Sequence, residues 1–175
     1  NRRESGSMKQ GEDSREAVIK KAKRKAMRLL EQMDRTEWNL RQKLTQNGFP
    51  QEAVDEAVDY VKSYGYVDDG RYARNYLAYR LQMKSRQKLF QELYQKGVAK
   101  EVVEEAWREI SADSDLDERA LIRRQVLKKY EAGTRLDLTQ MRRLYGFLAR
   151  KGFRYEDIRS VLEEEDIRQA DSREN

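Results

Sequence analysis

The sequence predicts an all-α protein of three tandem three-helix repeats, bundle-like and right-handed, drawn out into an elongated, curved body. Three observations predict it: a pattern of matched positions recurring around three glycines, a scarcity of turn formers, and a hydrophobic content suited to helices that each bury one stripe. The pattern reads TEWNLRQKLTQNGFPQEAVDEAV around Gly48, SRQKLFQELYQKGVAKEVVEEAW around Gly97 and QMRRLYGFLARKGFRYEDIRSVL around Gly152. Leu40, Leu89 and Leu144 stand eight residues before their glycines, and Leu44, Leu93 and Leu148 four before. Phe49, Val98 and Phe153 follow directly, with Val54, Val103 and Ile158 six after. So many shared offsets define a structural unit of about 50 residues, and a unit of that size packs mainly on its sequence neighbours. One proline and nine glycines in 175 residues leave little material for the turns of a β-sandwich. Apolar residues make up 38% and charged ones 39%, too little hydrophobicity for one large spherical core.

Each unit has readable parts. Leucines four apart share one helical face. Thr36 and Ser85, twelve residues before their glycines, suit the N-cap, where a side-chain oxygen accepts from an orphan backbone N–H. The glycine suits the left-handed residue that closes a helix, and the apolar residue after it folds back. A second helix follows, with Pro50 fitting its first turn. A longer amphipathic helix precedes each pair, over 16–33, 69–84 and 115–131, the second capped by Asp68 or Asp69. Lys96 and Lys151 read as cations complementing a helix C-terminus. The repeats are bounded at 16–64, 65–113 and 114–167, between a disordered tail over 1–15 and another over 168–175. Gly6-Ser7-Met8 reads as a cloning scar ahead of the true start.

Composition excludes several functions. With no cysteine there are no disulfides, thiolate metal sites or thiol nucleophiles. With no histidine the chain lacks the side chain most used for proton transfer near neutral pH. The reading is a non-enzyme without catalytic residues, cofactor or metal, binding a partner that is acidic or associated with nucleic acid. No apolar run approaches the roughly 20 residues that span a bilayer, and no signal peptide is seen. A soluble, cytoplasmic monomer is expected.

The charges are segregated. Residues 15–30 hold seven cations against one acid, and residues 71–96 hold the same, each a net +6. Residues 119–159 hold twelve cations against four acids, while 101–118 hold eight acids against Arg108. A basic stripe shared by successive modules fits a nucleic-acid or nucleoprotein partner; the plainer alternative is a solvated helix surface laced with ion pairs. Tyr72, Tyr76 and Tyr79 fall on one helix face, with Tyr60, Tyr64 and Tyr66 just before. Packing between helices is favoured over base stacking for these rings. The Asp68-Asp69 pair reads as a cap rather than a metal site.

The stretch from Gly65 to Val98, GYVDDGRYARNYLAYRLQMKSRQKLFQELYQKGV, resembles the signature of the RecX family of bacterial recombination regulators. Its GYLDD start, Arg-aromatic-Ala step, Arg-rich helix and E-L-x-x-K-G turn correspond to Gly65, Tyr66, Asp68, Asp69, Arg71, Tyr72, Ala73, Arg80, Glu92, Leu93, Lys96 and Gly97. RTEWNLRQKLTQNGF and YGFLARKGFRYEDIRSVL resemble the family's first and last modules, so the match covers about 16–165. Many members carry Gly-Pro where this chain has Ser85-Arg86, Arg where it has Lys88, and Phe at Tyr72. Lys88 keeps the charge but not the bidentate fork of arginine. The resemblance implies a body that lies along the RecA filament on single-stranded DNA and restrains its growth, ATP hydrolysis and strand exchange. The expected contacts are Arg71, Arg74, Arg80, Lys84, Arg86, Lys88 and Lys96 in the middle module, with Arg123, Arg124, Arg142 and Arg143 in the third. The alternative is a direct DNA-binding protein of helix-turn-helix-like repeats. Against it, the last helix of the first two modules is acidic (Asp55, Glu56, Asp59; Glu101, Glu104, Glu105), which would repel phosphates in a groove.

Overall fold

The computed structural model describes residues 2–112 and 117–171, with side chains from Met8 onward. Nine helices are found among these residues. The first module holds α1 (Arg2–Gln32), α2 (Glu37–Gln46) and α3 (Gln51–Ser63). The second holds α4 (Asp69–Arg80), α5 (Arg86–Gln95) and α6 (Lys100–Ser111), and the third α7 (Glu118–Lys129), α8 (Leu138–Arg150) and α9 (Tyr155–Glu164). The six leucines that define the repeat are all buried, none more than 3% exposed. Each such side chain contributes about 1.5–3 kcal/mol by leaving water. Leu44→Ala would cost about 2–5 kcal/mol, because the space left behind collapses only in part.

Helices are not the whole of it. A short parallel pair joins β1 (Arg135–Leu136) to β2 (Arg168–Gln169), with Ala170 N donating to Leu136 O at 2.8 Å. The all-α class holds with this two-residue pair beside the helices, and Arg168 and Gln169, expected in the tail, belong to the third module's fold. Leu136 is buried while Arg135 points out, so the pairing seats one apolar residue beside Ile167. At the other end α1 reaches back to Arg2, through residues also set aside as tail. Pro50 sits at the N-cap of α3 rather than inside its first turn, where its missing N–H costs nothing. The boundary between 113 and 114, the start of the helix expected from 115, and residues 172–175 lie outside the described residues.

The chain forms two compact units, residues 1–73 with 93–105 and residues 74–92 with 106–175, so the helices of the middle module are divided between them. The first unit's core sets Ala22, Ala26 and Leu29 of α1 with Leu40 and Leu44 of α2 and Ala53, Val54, Ala57, Val58 and Val61 of α3. The α1 positions follow an i, i+4, i+7 stripe, the period that turns one helix face inward. The second unit's core gathers Ile122 and Val126 of α7, Leu144 and Leu148 of α8, and Ile158, Val161 and Leu162 of α9.

The two aspartates of the GYVDD segment serve different helices. Asp68 accepts from Arg71 N at 3.0 Å and caps α4. Asp69 accepts from Glu37 N at 2.9 Å and so caps α2. Each occupies an orphan donor at a helix start.

Candidate partner-binding site

The structure gives most of the predicted contact residues a partner inside the protein. Arg71 donates to Gly65 O at 2.7 Å and Tyr66 O at 3.4 Å, closing the end of α3. Arg74 pairs with Glu109 at 3.5 Å. Arg80 lies 3.8 Å from the centroid of the Tyr76 ring and donates to Tyr76 O. Arg86 stands 4.9 Å from the Phe90 ring and 5.4 Å from the Trp107 ring. Lys96 gives its carbonyl to Thr36. Arg123 is held by Glu164 and Glu165, and Arg124 donates to Gln82. Arg142 and Arg143 are exposed and hold no ion pair among the described residues. The tyrosine stripe on α4 also differs from expectation: Tyr76 is buried, but Tyr79 is 80% exposed. Ala73, Leu77 and Leu81 complete the buried face, since aliphatic side chains enter a core without a hydroxyl to satisfy, while the Tyr76 hydroxyl is satisfied by Glu92.

A denser cationic site is built from the second unit's own connections. Ser85 caps α5 by accepting from Lys88 N at 3.1 Å. Its backbone N–H also donates to Lys151 O at 2.9 Å, tying the start of α5 to the end of α8. The same arrangement occurs in the first unit, where Thr36 accepts from Asn39 N at 3.2 Å and its hydroxyl donates to Lys96 O at 2.6 Å. Gly97 and Gly152 follow these acceptors with φ of +84° and +86°. A methyl on Gly97 would strike Cβ of Trp38, and one on Gly152 would strike Cβ of Lys88 and Oγ of Ser85. Glycine is needed twice over, for its left-handed backbone and for a close approach.

That seat brings Lys88 and Lys84 beside Lys151. Lys129 lies 4.1 Å and Lys151 4.7 Å from the Phe147 centroid, so two ammonium groups share one ring. Burial, then the charges of Lys84, Lys129 and Lys128, hold the Lys151 ammonium below the ordinary lysine range. Glu92 is an acid within the cluster, accepting from Lys84 Nζ at 2.5 and 2.9 Å and from the Tyr76 hydroxyl at 2.8 Å. Burial pushes the Glu92 carboxyl up, but the hydrogen bonds from Lys84 and Tyr76 outweigh it and leave the group below the usual glutamate value. Lys84, Lys128 and Lys129 act on Lys151, and Lys84 and Lys88 on Glu92, while Glu118 shares a pocket wall with Lys84. The lysines outnumber these acids and would attract carboxylates or phosphates.

Lys128, Lys129 and Lys151 were absent from the predicted set. They stand more than forty residues from Lys84 in the chain. The repeat held a usable signal: the residue before the glycine of one module meets the cap of the module before it, at Lys96 with Thr36 and at Lys151 with Ser85.

No helix among the described residues is long and apolar enough to cross a membrane, and no group of three or more potential metal ligands is found there. Three family profiles match in succession: the first three-helix domain of RecX at 22–60, the second at 68–106 and the third at 117–162. The regulatory protein RecX of Trichlorobacter lovleyi is 38% identical over 143 residues, covering 79% of this chain and 91% of the relative. That of Clostridium botulinum strain Alaska E43 is 32% identical over 155 residues, covering 86% of this chain and 71% of the relative. Among solved structures, RecX from Lactobacillus salivarius superposes with a TM-score of 0.64 at 18% identity, covering 86% of this chain and 97% of that one. Three consecutive domain matches and a 38% identical relative covered nearly end to end establish that this chain belongs to the RecX family of regulatory proteins.

Proposed function

We propose that the chain binds the RecA filament on single-stranded DNA and restrains its extension, ATP hydrolysis and strand exchange, acting as a monomer in the cytoplasm and catalysing nothing itself. The observation that carries this reading is the lysine cluster of Lys84, Lys88, Lys128, Lys129 and Lys151, whose cations outnumber Glu92 and Glu118 beside them. An acidic protein or nucleoprotein surface offsets that repulsion and is steered toward it over about a Debye length. Repeats bounded at 16–64, 65–113 and 114–167 would present the cluster from helices of two modules. The last helix of every module exposes acids, including Glu56 and Asp59 on α3, Glu101 and Glu105 on α6, and Glu156 on α9. A helix of that charge is a poor reader of a DNA groove.

The test is to add the protein to preformed RecA filaments on single-stranded DNA and follow ATP hydrolysis. The parent is expected to inhibit. Lys128→Glu with Lys129→Glu and Lys151→Glu is expected to weaken inhibition at least tenfold, about 1.4 kcal/mol of partner binding. No inhibition by the parent would overturn the filament reading. Equal inhibition by parent and variant would move the contact to Arg142 and Arg143.

A further inference from the structure

We propose that the first unit carries a separate face for single-stranded nucleic acid, with Tyr60, Tyr64 and Tyr66 taking unstacked bases and Lys20, Arg24 and Arg28 of α1 taking phosphates. The rings form a continuous ladder. Tyr60 and Tyr64 meet edge to face with centroids 5.1 Å apart, and Tyr64 and Tyr66 stack with centroids 5.8 Å apart and planes 17° from parallel. They are 37%, 61% and 46% exposed, so the ladder faces solvent rather than a helix, against the expectation from sequence. Isolated exposed rings are ordinary on a protein surface, whereas contiguous ones mark a place that binds.

The cations stand beside the ladder. Lys20, Arg24 and Arg28 are exposed and follow an i, i+4, i+8 stripe, one cation about every 6 Å along the helix. None of the three holds an ion pair among the described residues; the pair recorded on α1 joins Arg15 to Glu52. A groove of about 580 Å³ is lined by Lys20, Lys23, Arg24, Arg28 and Tyr60, with Glu31 the one acid on its wall. Lys23 Nζ lies 4.8 Å from the Tyr60 centroid, so cation and ring already meet there. A second groove of about 490 Å³ continues past Met27 to Tyr66 and Arg71, with Glu31 and Asp34 as the acids on its wall. Arg71 holds the turn that carries Tyr66 by its bonds to the carbonyls of Gly65 and Tyr66. Phosphate-binding cations beside a ladder of exposed rings suit a single strand, whose bases have free π faces, and not a duplex, whose bases are stacked away.

The inference supplies a face for the single strand in the proposed reading and rests on that reading only for its biological setting. Its test therefore leaves RecA out, and failure of one does not decide the other. The whole chain is titrated into a fluorescein-labelled twelve-residue oligothymidylate, an abasic strand of the same length and charge, and a duplex of the same length, and anisotropy is followed at fixed salt. Oligothymidylate is expected to bind at least tenfold more tightly than the abasic strand. Tyr64→Ser with Tyr66→Ser should erase that difference and leave abasic binding unchanged, and Tyr64→Phe with Tyr66→Phe should preserve it. Lys20→Glu with Arg24→Glu and Arg28→Glu should weaken both strands. Equal binding of the two strands would overturn the proposal in favour of a charged surface alone, as would tighter binding of the duplex. No binding of oligothymidylate, or unaltered binding by the serine variant, would also overturn it.

Discussion

Residues 15–30 and 71–96 carry the same net charge of +6, yet the fold engages most cations of the later stretch, whereas in the earlier one it engages Arg15 and Lys23 and leaves four others exposed. In the later stretch Arg71, Arg74, Arg80, Lys84 and Arg86 each bind a carbonyl, a carboxylate or a ring of the protein. In the earlier stretch Lys20, Lys21, Arg24 and Arg28 stand exposed without an ion pair among the described residues. Charge counted along a sequence does not say which cations hold the fold and which are left for a partner. Partners remote in the chain decide that, as Glu109 does for Arg74 and Glu118 does for the backbone N–H of Arg86.

The sharpest test of the contrast is charge reversal on both sides. The sequence alone suggests that Lys84→Glu with Arg86→Glu and Lys88→Glu would leave stability intact, since its nearest acid is Glu92. The structure reverses this expectation. Lys84 lies against Glu92, whose side chain is 15% exposed, so Lys84→Glu sets two carboxylates together in a partly buried place. The triple variant is expected to lose about 3–5 kcal/mol in chemical denaturation. Lys20→Glu with Arg24→Glu and Arg28→Glu should stay within about 0.5 kcal/mol per site. Equal losses in the two variants would break the comparison.

The same lesson holds for glycines that the repeat makes equivalent. Gly48 and Gly97 both have positive φ, but a methyl on Gly48 meets nothing within 4 Å, and one on Gly97 meets the Trp38 side chain. Gly48→Ala is expected to cost about 1 kcal/mol for the left-handed backbone. Gly97→Ala adds a collision in a close contact, raising the loss to about 2–4 kcal/mol. Matching melting temperatures for the two variants would mean that the Trp38 contact yields freely.

How much was legible follows from the range of each signal. Helical periodicity, the Thr36 and Ser85 caps and the buried leucines are set by residues within a turn or two, and the sequence shows them. The β1–β2 pair joins residues 33 positions apart through two residues each, too short to leave an alternating pattern. Among the tyrosines expected to pack, Tyr76 does and Tyr79 does not, because the two share a helix face in sequence and only Tyr76 meets Glu92. The basic character of the site was visible, but its focus on Lys128, Lys129 and Lys151 was not. Those lysines are brought to Lys84 by contacts remote in the chain, Ser85 with Lys151 and Arg124 and Gln125 with Gln82 and Met83.

The finest expected effect concerns two carboxylates that sequence treats alike and the fold shifts in opposite directions. Glu92 lies below its ordinary value because its bonds to Lys84 and Tyr76 outweigh burial. Asp69 lies above its ordinary value, first through burial, which its hydrogen bond from Glu37 N offsets only in part, with the Glu37 carboxylate adding repulsion. A depressed carboxylate adds stability that is present above the unfolded value and lost as pH falls through the folded one. A raised carboxylate does the reverse: its ionisation costs stability as pH rises through the folded value, and the cost vanishes in acid. Glu92→Gln should therefore destabilise at pH 7 by about 1–2 kcal/mol, with the gap to the parent narrowing below about pH 4. Asp69→Asn keeps an oxygen that can accept from Glu37 N and removes the charge. It should match or exceed the parent at pH 7 by less than about 1 kcal/mol, and that gain should fade in acid. Thermal melts of the two variants across the acid limb should thus converge on the parent from opposite sides. Convergence from the same side would mean that Asp69 is stabilised as an anion, and that the hydrogen bond from Glu37 N, rather than burial, governs it.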